Sequence, residues 1–197
     1  MQEVSNSWPH VCIRARPRTS GPRAAASRPS MSSESSPIRD ATLNDAERVA
    51  EIYNHYVLNS TITFEEAPVC AAEMARRIEE IRTQSLPWLV AMRSDQITGF
   101  AFAQKWKSRA AYRYSAEVTV YVAPGLGKSG IGSALYSVLF ASLKSSGFHA
   151  VIGGVALPND ASLRLHRRFG FVQVAHFKQV GFKFDRWIDV TYWELIL

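Results

Sequence analysis

Thr119-Val-Tyr-Val-Ala-Pro124 reads as a strand, Gly125-Leu-Gly-Lys-Ser-Gly-Ile-Gly132 as a tight glycine loop, and Ile131, Leu135, Val138, Leu139 and Leu143 as the apolar stripe of a helix ending near Gly147. An apolar strand over residues 150–157 follows. A strand that leaves through a helix and comes back as a strand makes that pair parallel, with the helix laid across one face of the sheet. This segment alone restricts the chain to an α/β or α+β architecture. The glycines at the head of the helix also leave backbone N–H groups open, where the helix dipole favours an anion.

Three phosphate-binding motifs can be written over these glycines. A nucleotide P-loop requires a glycine five positions before the Gly of Gly127-Lys128-Ser129, and Val122 stands there, so that reading fails. A dinucleotide fold requires the loop early in a βαβαβ half and an acid about 20 residues on to hold a ribose. The following strand carries no acid, and too little chain remains to build such a domain. What survives is a turn over Gly127, Lys128, Ser129, Gly130, Ile131 and Gly132 that delivers first-turn N–H groups to a pyrophosphate. A glycine-rich turn that only reverses the chain stands beside it.

Elsewhere the chain alternates from about residue 37. Residues 37–41 form a short strand, and Thr42-Leu-Asn-Asp45 is a capping signal before a helix carrying Val49, Ile52, Tyr53, Tyr56 and Val57 on one face. A second helix, about 69–83, aligns Met74, Ile78 and Ile81. Residues 88–92 and 97–104 make a hairpin, 113–122 a strand, 160–168 a short helix, and 171–180 and 187–197 two final strands. The predicted order is β-α-α-β-β-β-α-β-α-β-β, a mixed central β-sheet flanked by helices.

Of the 197 residues 47% are hydrophobic and 20% charged, which suits one domain over 37–197. The net charge of +6 is concentrated in residues 1–30, where five Arg face only Glu3. The remainder carries little excess charge, so nucleic acid is not expected as its partner, though the Arg-rich tail leaves that question open for residues 1–30. Residues 1–36 are expected to be a disordered Arg/Ser/Pro-rich tail. Their composition overlaps with transit peptides, and Met31 is an alternative start. No apolar run approaches the roughly 18 residues of a membrane span. Cys12 and Cys70 have no paired spacing, so neither a disulfide framework nor a metal site is expected, and a reducing cytoplasm fits.

Gly127-x-x-Gly130-x-Gly132 after a VYV strand resembles motif A of the GNAT superfamily of acetyl-CoA-dependent N-acetyltransferases. Asn159-Asp-Ala-Ser-Leu-Arg-Leu-His166-Arg-Arg-Phe-Gly-Phe171 resembles its motif B. The stretches YNHYVLNSTITFEE, PWLVA, WKSRAAYRYSAEVTVYV and VGFKFDRWIDVTYWEL are similar to the phosphinothricin and methionine sulfoximine N-acetyltransferases. The resemblance spans about 37–197 and implies the GNAT fold, acetyl-CoA as co-substrate, a small amino-acid-like acceptor and a homodimer. The family usually carries Gln or Arg where this chain has Gly127.

Acetyl transfer to an amine needs a neutral nitrogen, a polarised thioester carbonyl and an acid for the thiolate. The resemblance makes Glu117 the acceptor of the amine proton, directly or through water. A strand carboxylate is otherwise commonly exposed or salt-bridged. His166 stands where many relatives carry a Tyr that protonates the thiolate; its ordinary pKa near 6.5 suits either acid or base work, and a helical His is often only structural. Val120, Tyr121 and Val122 resemble the segment that pairs with the pantetheine arm. Asn159 resembles the family Asn that bonds the cofactor, and also suits an N-cap. Lys107, Ser108 and Arg109 supply groups for an acceptor carboxylate or phosphinate, with Val118 and Thr119 beside it, while solvated loop charges are the plain alternative. Phe64, Trp106 and Tyr112 are candidate pocket walls. The other functions weighed are acetylation of protein N-termini or another amine, and a non-catalytic acetyl-CoA-binding module.

Overall fold

The computed structural model describes residues 37–197, so the expected tail of residues 1–36 lies outside the described residues. The chain runs β1 (Ile38–Asp40), α1 (Ala46–Asn59), α2 (Ala71–Thr83), β2 (Trp88–Arg93), β3 (Gln96–Lys105), β4 (Ser115–Val122), α3 (Ile131–Ser145), β5 (Ala150–Ala156), α4 (Asp160–Arg168), β6 (Val172–Lys183) and β7 (Arg186–Ile196). This is the order expected from the sequence. The strands form one sheet in the order β1-β2-β3-β4-β5-β7-β6, and every pair is antiparallel except β4 and β5.

Helix faces follow the apolar spacing. α1 buries Val49, Ile52 and Val57, and α2 buries Met74, Ile78 and Ile81. In α3 the core stripe includes Tyr136 and Phe140, whereas Val138, expected inside, is exposed. Ile131, Leu135, Leu139 and Leu143 lie inside as expected, and the stripe widens on the side where the Tyr136 and Phe140 rings, with larger apolar area to bury, face Phe169 and Phe171.

Strand parity puts α1 and α3 on opposite faces of β4. The Tyr121 ring lies 5.2 Å from both Tyr53 and Tyr56 of α1. On the other face Gly99, paired with Val122, leaves room for Ile131 and Leu135 of α3; a side chain there would press on both.

Two boundaries differ from the sequence reading. β4 begins at Ser115 because Ala110–Tyr112 winds into a 3-10 turn, with Arg113 N–H donating to the Ala110 carbonyl at 3.2 Å. β6 continues past Val180 through a bulge between Phe177 and Gly181. It then turns at Phe184 and Asp185, whose φ values of 52° and 56° fit a tight hairpin.

Candidate active site

β4 and β5 pair only from Ser115 to Glu117 against Ala150 to Ile152, and beyond that point residues 118–122 have β3 on one side and no paired strand on the β5 side. Backbone groups alternate along a strand, and Ala123 N–H donates to Thr98 of β3 at 2.8 Å. The odd residues therefore turn their amides to β3, and Val118, Val120 and Val122 turn theirs into the gap. Tyr121, expected in the pairing segment, directs its backbone to β3 and contributes a buried ring instead. One gap-facing group is already engaged, the Val122 carbonyl, which accepts from the Tyr56 hydroxyl at 2.6 Å.

The gap opens into a cleft of about 540 Å³ that reaches the glycine loop. Gly130 has φ +84° and precedes the first turn of α3, in which no acidic side chain offsets the positive helix end. Gly132 lies against the strand, with Leu165 Cδ2 3.4 Å from where a Cβ would sit. Ser129 Oγ is spent on the Leu126 carbonyl at 2.6 Å, which fixes the turn and leaves ligand contact to the backbone. The N–H groups of the first helical turn have no partner within the helix. An open backbone edge joined to a bare helix N-terminus suits a long ligand with an amide-bearing arm and a pyrophosphate.

Residues 38–192 match the family model described as an acetyltransferase (GNAT) domain. The chain belongs to the GNAT acetyltransferase family. It is 38% identical over 157 residues to the phosphinothricin N-acetyltransferase of Streptomyces viridochromogenes, covering 80% of this chain and 85% of that enzyme. It is 35% identical to the L-methionine sulfoximine/L-methionine sulfone acetyltransferase of Salmonella typhimurium, covering 81% and 94%. Among solved structures, the phosphinothricin acetyltransferase of Sinorhizobium meliloti in complex with AcCoA superposes with a TM-score of 0.81 at 34% identity, covering 83% and 89%. Acetyl-CoA is the co-substrate of this GNAT acetyltransferase, and the open edge and bare helix end are the features of its fold that fit it.

The cleft of the GNAT domain gathers Val118 to Val122, Gly127 to Gly132, Asn159 and His166. Asn159 caps α4, its Oδ1 accepting Ser162 N–H at 3.1 Å, and its amide nitrogen makes no hydrogen bond among the described residues. The cap and a ligand contact are therefore compatible. Arg164 and Arg168 line the same cleft as Lys128, two cations to which the sequence assigned no role.

Glu117 lies on the opposite face from α3, half-buried where β4 and β5 part. Gln104 Nε2 donates to its Oε2 at 2.9 Å, and no cation is within ion-pair distance among the described residues, so the salt-bridged alternative does not hold. Gly154 of β5 keeps the space beside it open: a Cβ there would lie 3.7 Å from Glu117 Oε1 and 3.5 Å from Tyr192 Cε1. Burial, together with the Glu117 charge, pushes the Tyr192 phenol up, so it stays a neutral hydroxyl. Tyr192 also meets Trp106 at 5.6 Å and Phe177 at 5.8 Å, which makes an aromatic wall next to the carboxylate. Only its register across β5, β6 and β7 reveals it. Trp106 thus joins this wall, while Tyr112 is exposed on the turn after it.

Lys107, Ser108 and Arg109 are all exposed on the segment after Trp106, outside the cleft residues. Lys107 Nζ sits 4.5 Å from the Trp106 ring centroid, and Arg109 has no ion-pair partner among the described residues. They border the aromatic wall without converging on Glu117.

His166 is 2% exposed and packs against Phe171 at 4.8 Å and Tyr136 at 5.7 Å. Its Nδ1 lies 2.8 Å from the Ser162 carbonyl, which can only accept, so Nδ1 carries the proton. Nε2 is then a bare lone pair with no partner among the described residues, directed at Gly153. Burial pushes the imidazole pKa down, keeping it neutral. In this state the ring can receive a proton at Nε2 but has none to give there.

Proposed function

We propose that this GNAT acetyltransferase moves the acetyl group of acetyl-CoA to the α-amine of a small amino acid or analogue of the phosphinothricin, methionine sulfoximine or methionine sulfone type. The observation that carries this reading is Glu117, an unneutralised carboxylate at the point where β4 and β5 part, beside the aromatic wall of Trp106 and Tyr192. The names of the two enzymes compared above support the choice of acceptor class.

In this reading Glu117 takes the proton of the incoming ammonium, so that the neutral nitrogen attacks the thioester carbonyl. The C–N bond of an amide forms, the C–S bond breaks, and the second proton shed by the nitrogen passes through the medium to the departing thiolate. Gap-facing amides of β4 hold the pantetheine arm, and the first turn of α3 with Lys128 holds the pyrophosphate. His166, buried with Nε2 against Gly153, holds the cleft wall in its neutral form. Lys107 and Arg109 draw the acceptor's carboxylate or phosphinate to the rim.

A homodimer is the assembly we propose, supported by apolar side chains left exposed on β6 and β7, among them Val172, Val174 and Trp187. Cysteine usage supports a cytoplasmic setting.

The test is a thiol-release assay with acetyl-CoA against the amino acids, phosphinothricin, methionine sulfoximine, methionine sulfone and an N-terminal peptide panel. Release with the analogues above that with peptides is expected. Turnover confined to peptides would reassign the acceptor, and release with none would leave an acetyl-CoA-binding module.

A further inference from the structure

Lys183, the last residue of β6, is 1% exposed, and its ammonium is satisfied by two backbone carbonyls in place of a carboxylate. Nζ donates to the Val57 carbonyl at 2.7 Å and to the Thr63 carbonyl at 2.8 Å. Glu65 and Glu66 act on it only through space. Burying an ammonium in this way is costly, and a methionine would fill the same volume without the charge. The position therefore has a use that apolar packing does not supply.

The use lies in what the two carbonyls belong to. Val57 is in the last turn of α1, where carbonyls lack helical partners and a cation meets the negative end of the dipole. Thr63 is in the middle of the segment that joins α1 to α2. Its neighbour Ile62 lines the cleft, and its neighbour Phe64 lays its ring over Gly181 of β6, where any added Cβ would overlap it. From the other side the segment is tied to α1 and α2: Tyr53 hydroxyl bonds Thr63 Oγ1 at 2.8 Å and Glu65 at 2.9 Å, and Arg77 bonds Glu65 at 2.6 Å. Residues 60–66 are thus held between α1 and α2 on one side and the β6–β7 tip on the other.

We propose that Lys183 is a positioning residue for the acceptor: with Gly181 it clasps residues 57–66, fixing Ile62 and Phe64 as the wall that receives the acceptor side chain. The clasp touches neither Glu117 nor the glycine loop, and of the two wall residues only Ile62 lines the acetyl-CoA cleft, so loss of the clasp loosens the acceptor far more than acetyl-CoA. This rests on the acceptor reading given above.

The test uses the full chain carrying K183M or, separately, G181A, with methionine sulfone as acceptor. Lys183→Met removes the donors at nearly constant volume, and Gly181→Ala lifts Phe64 while leaving the amine in place. In both variants the acceptor KM should rise about tenfold, with kcat and the calorimetric acetyl-CoA Kd within about twofold of the parent. Amide exchange should quicken over residues 60–66 and stay unchanged in β4 and α3. An unchanged acceptor KM in both variants overturns the proposal, as does a parallel loss of acetyl-CoA affinity, the mark of general loosening. If K183M does not fold, G181A decides alone. If the parent acetylates no acceptor, the function proposed above fails, and exchange over 60–66 still decides the clasp, unchanged protection refuting it.

Discussion

Gln104 Nε2 donates to Glu117 Oε2 at 2.9 Å, a neutral amide steadying a carboxylate that no cation neutralises among the described residues. Glu117→Gln preserves the shape and the contact with Gln104, whose amide can turn to match. Turnover should fall about a hundredfold or more, with the calorimetric affinity for acetyl-CoA unchanged. Near-normal turnover would remove Glu117 from the proton path.

The glycines of the loop differ in what they tolerate. Gly130 has φ +84°, a region that a β-branched residue enters only with strain, so Gly130→Val should abolish measurable acetyl-CoA binding. Gly132→Val would push a branched side chain against Leu165, Val120 and Val122 and should do the same. Gly127 is different, since a Cβ there meets nothing within 4 Å. Gly127→Gln should lower the acetyl-CoA Kd by adding a donor beside the pyrophosphate; a weaker complex by calorimetry would show the loop assignment to be wrong.

Gly153 is the seat of the His166 ring, and an added methyl there would overlap it. Gly153→Ala should destabilise the fold by about 1–3 kcal/mol, as overpacking of a filled interior does. Thermal unfolding measures it, and an unchanged midpoint would mean that the ring swings away freely.

His166 and Asp45 are among the groups that shape the acid side of the stability curve. Burial lowers the His166 pKa, so the unfolded chain binds a proton that the folded chain refuses. Its neutral form contributes fully above the unfolded value of about 6.5, and stability is lost as pH falls below it. Asp45 acts lower: the hydrogen bond from Arg39 holds its carboxyl at about 2, so its contribution is present above the usual carboxylate range and is lost as pH falls towards about 2. The midpoint should decline in two stages on acidification, and His166→Phe should flatten the first while Asp45→Asn flattens the second.

The glycine loop and its flanks were legible because the signals are local: a strand, a turn that only glycine enters easily, and an apolar helical stripe within 30 residues of one another. Asn159 as a cap was legible for the same reason. What needed the structure is long-range. Tyr192 comes beside Glu117 only because β7 inserts between β5 and β6, and nothing in VTYWEL encodes that neighbour. Tyr121 turned its backbone away from the gap because the register against β3 sets the parity, and register is a property of two strands. His166 is hidden for a similar reason, its tautomer being fixed by Ser162 one turn back and its cover by aromatic rings from α3 and the chain after α4.

The short seam between β4 and β5 has a mechanical side. The strand ladder that joins the half-sheet β1–β4 to the half-sheet β5–β7–β6 has only three register pairs. A co-substrate laid along β4 acts there as mortar, reinforcing a joint that is no longer than the edge contact of β1 with β2 yet has two half-sheets to hold together.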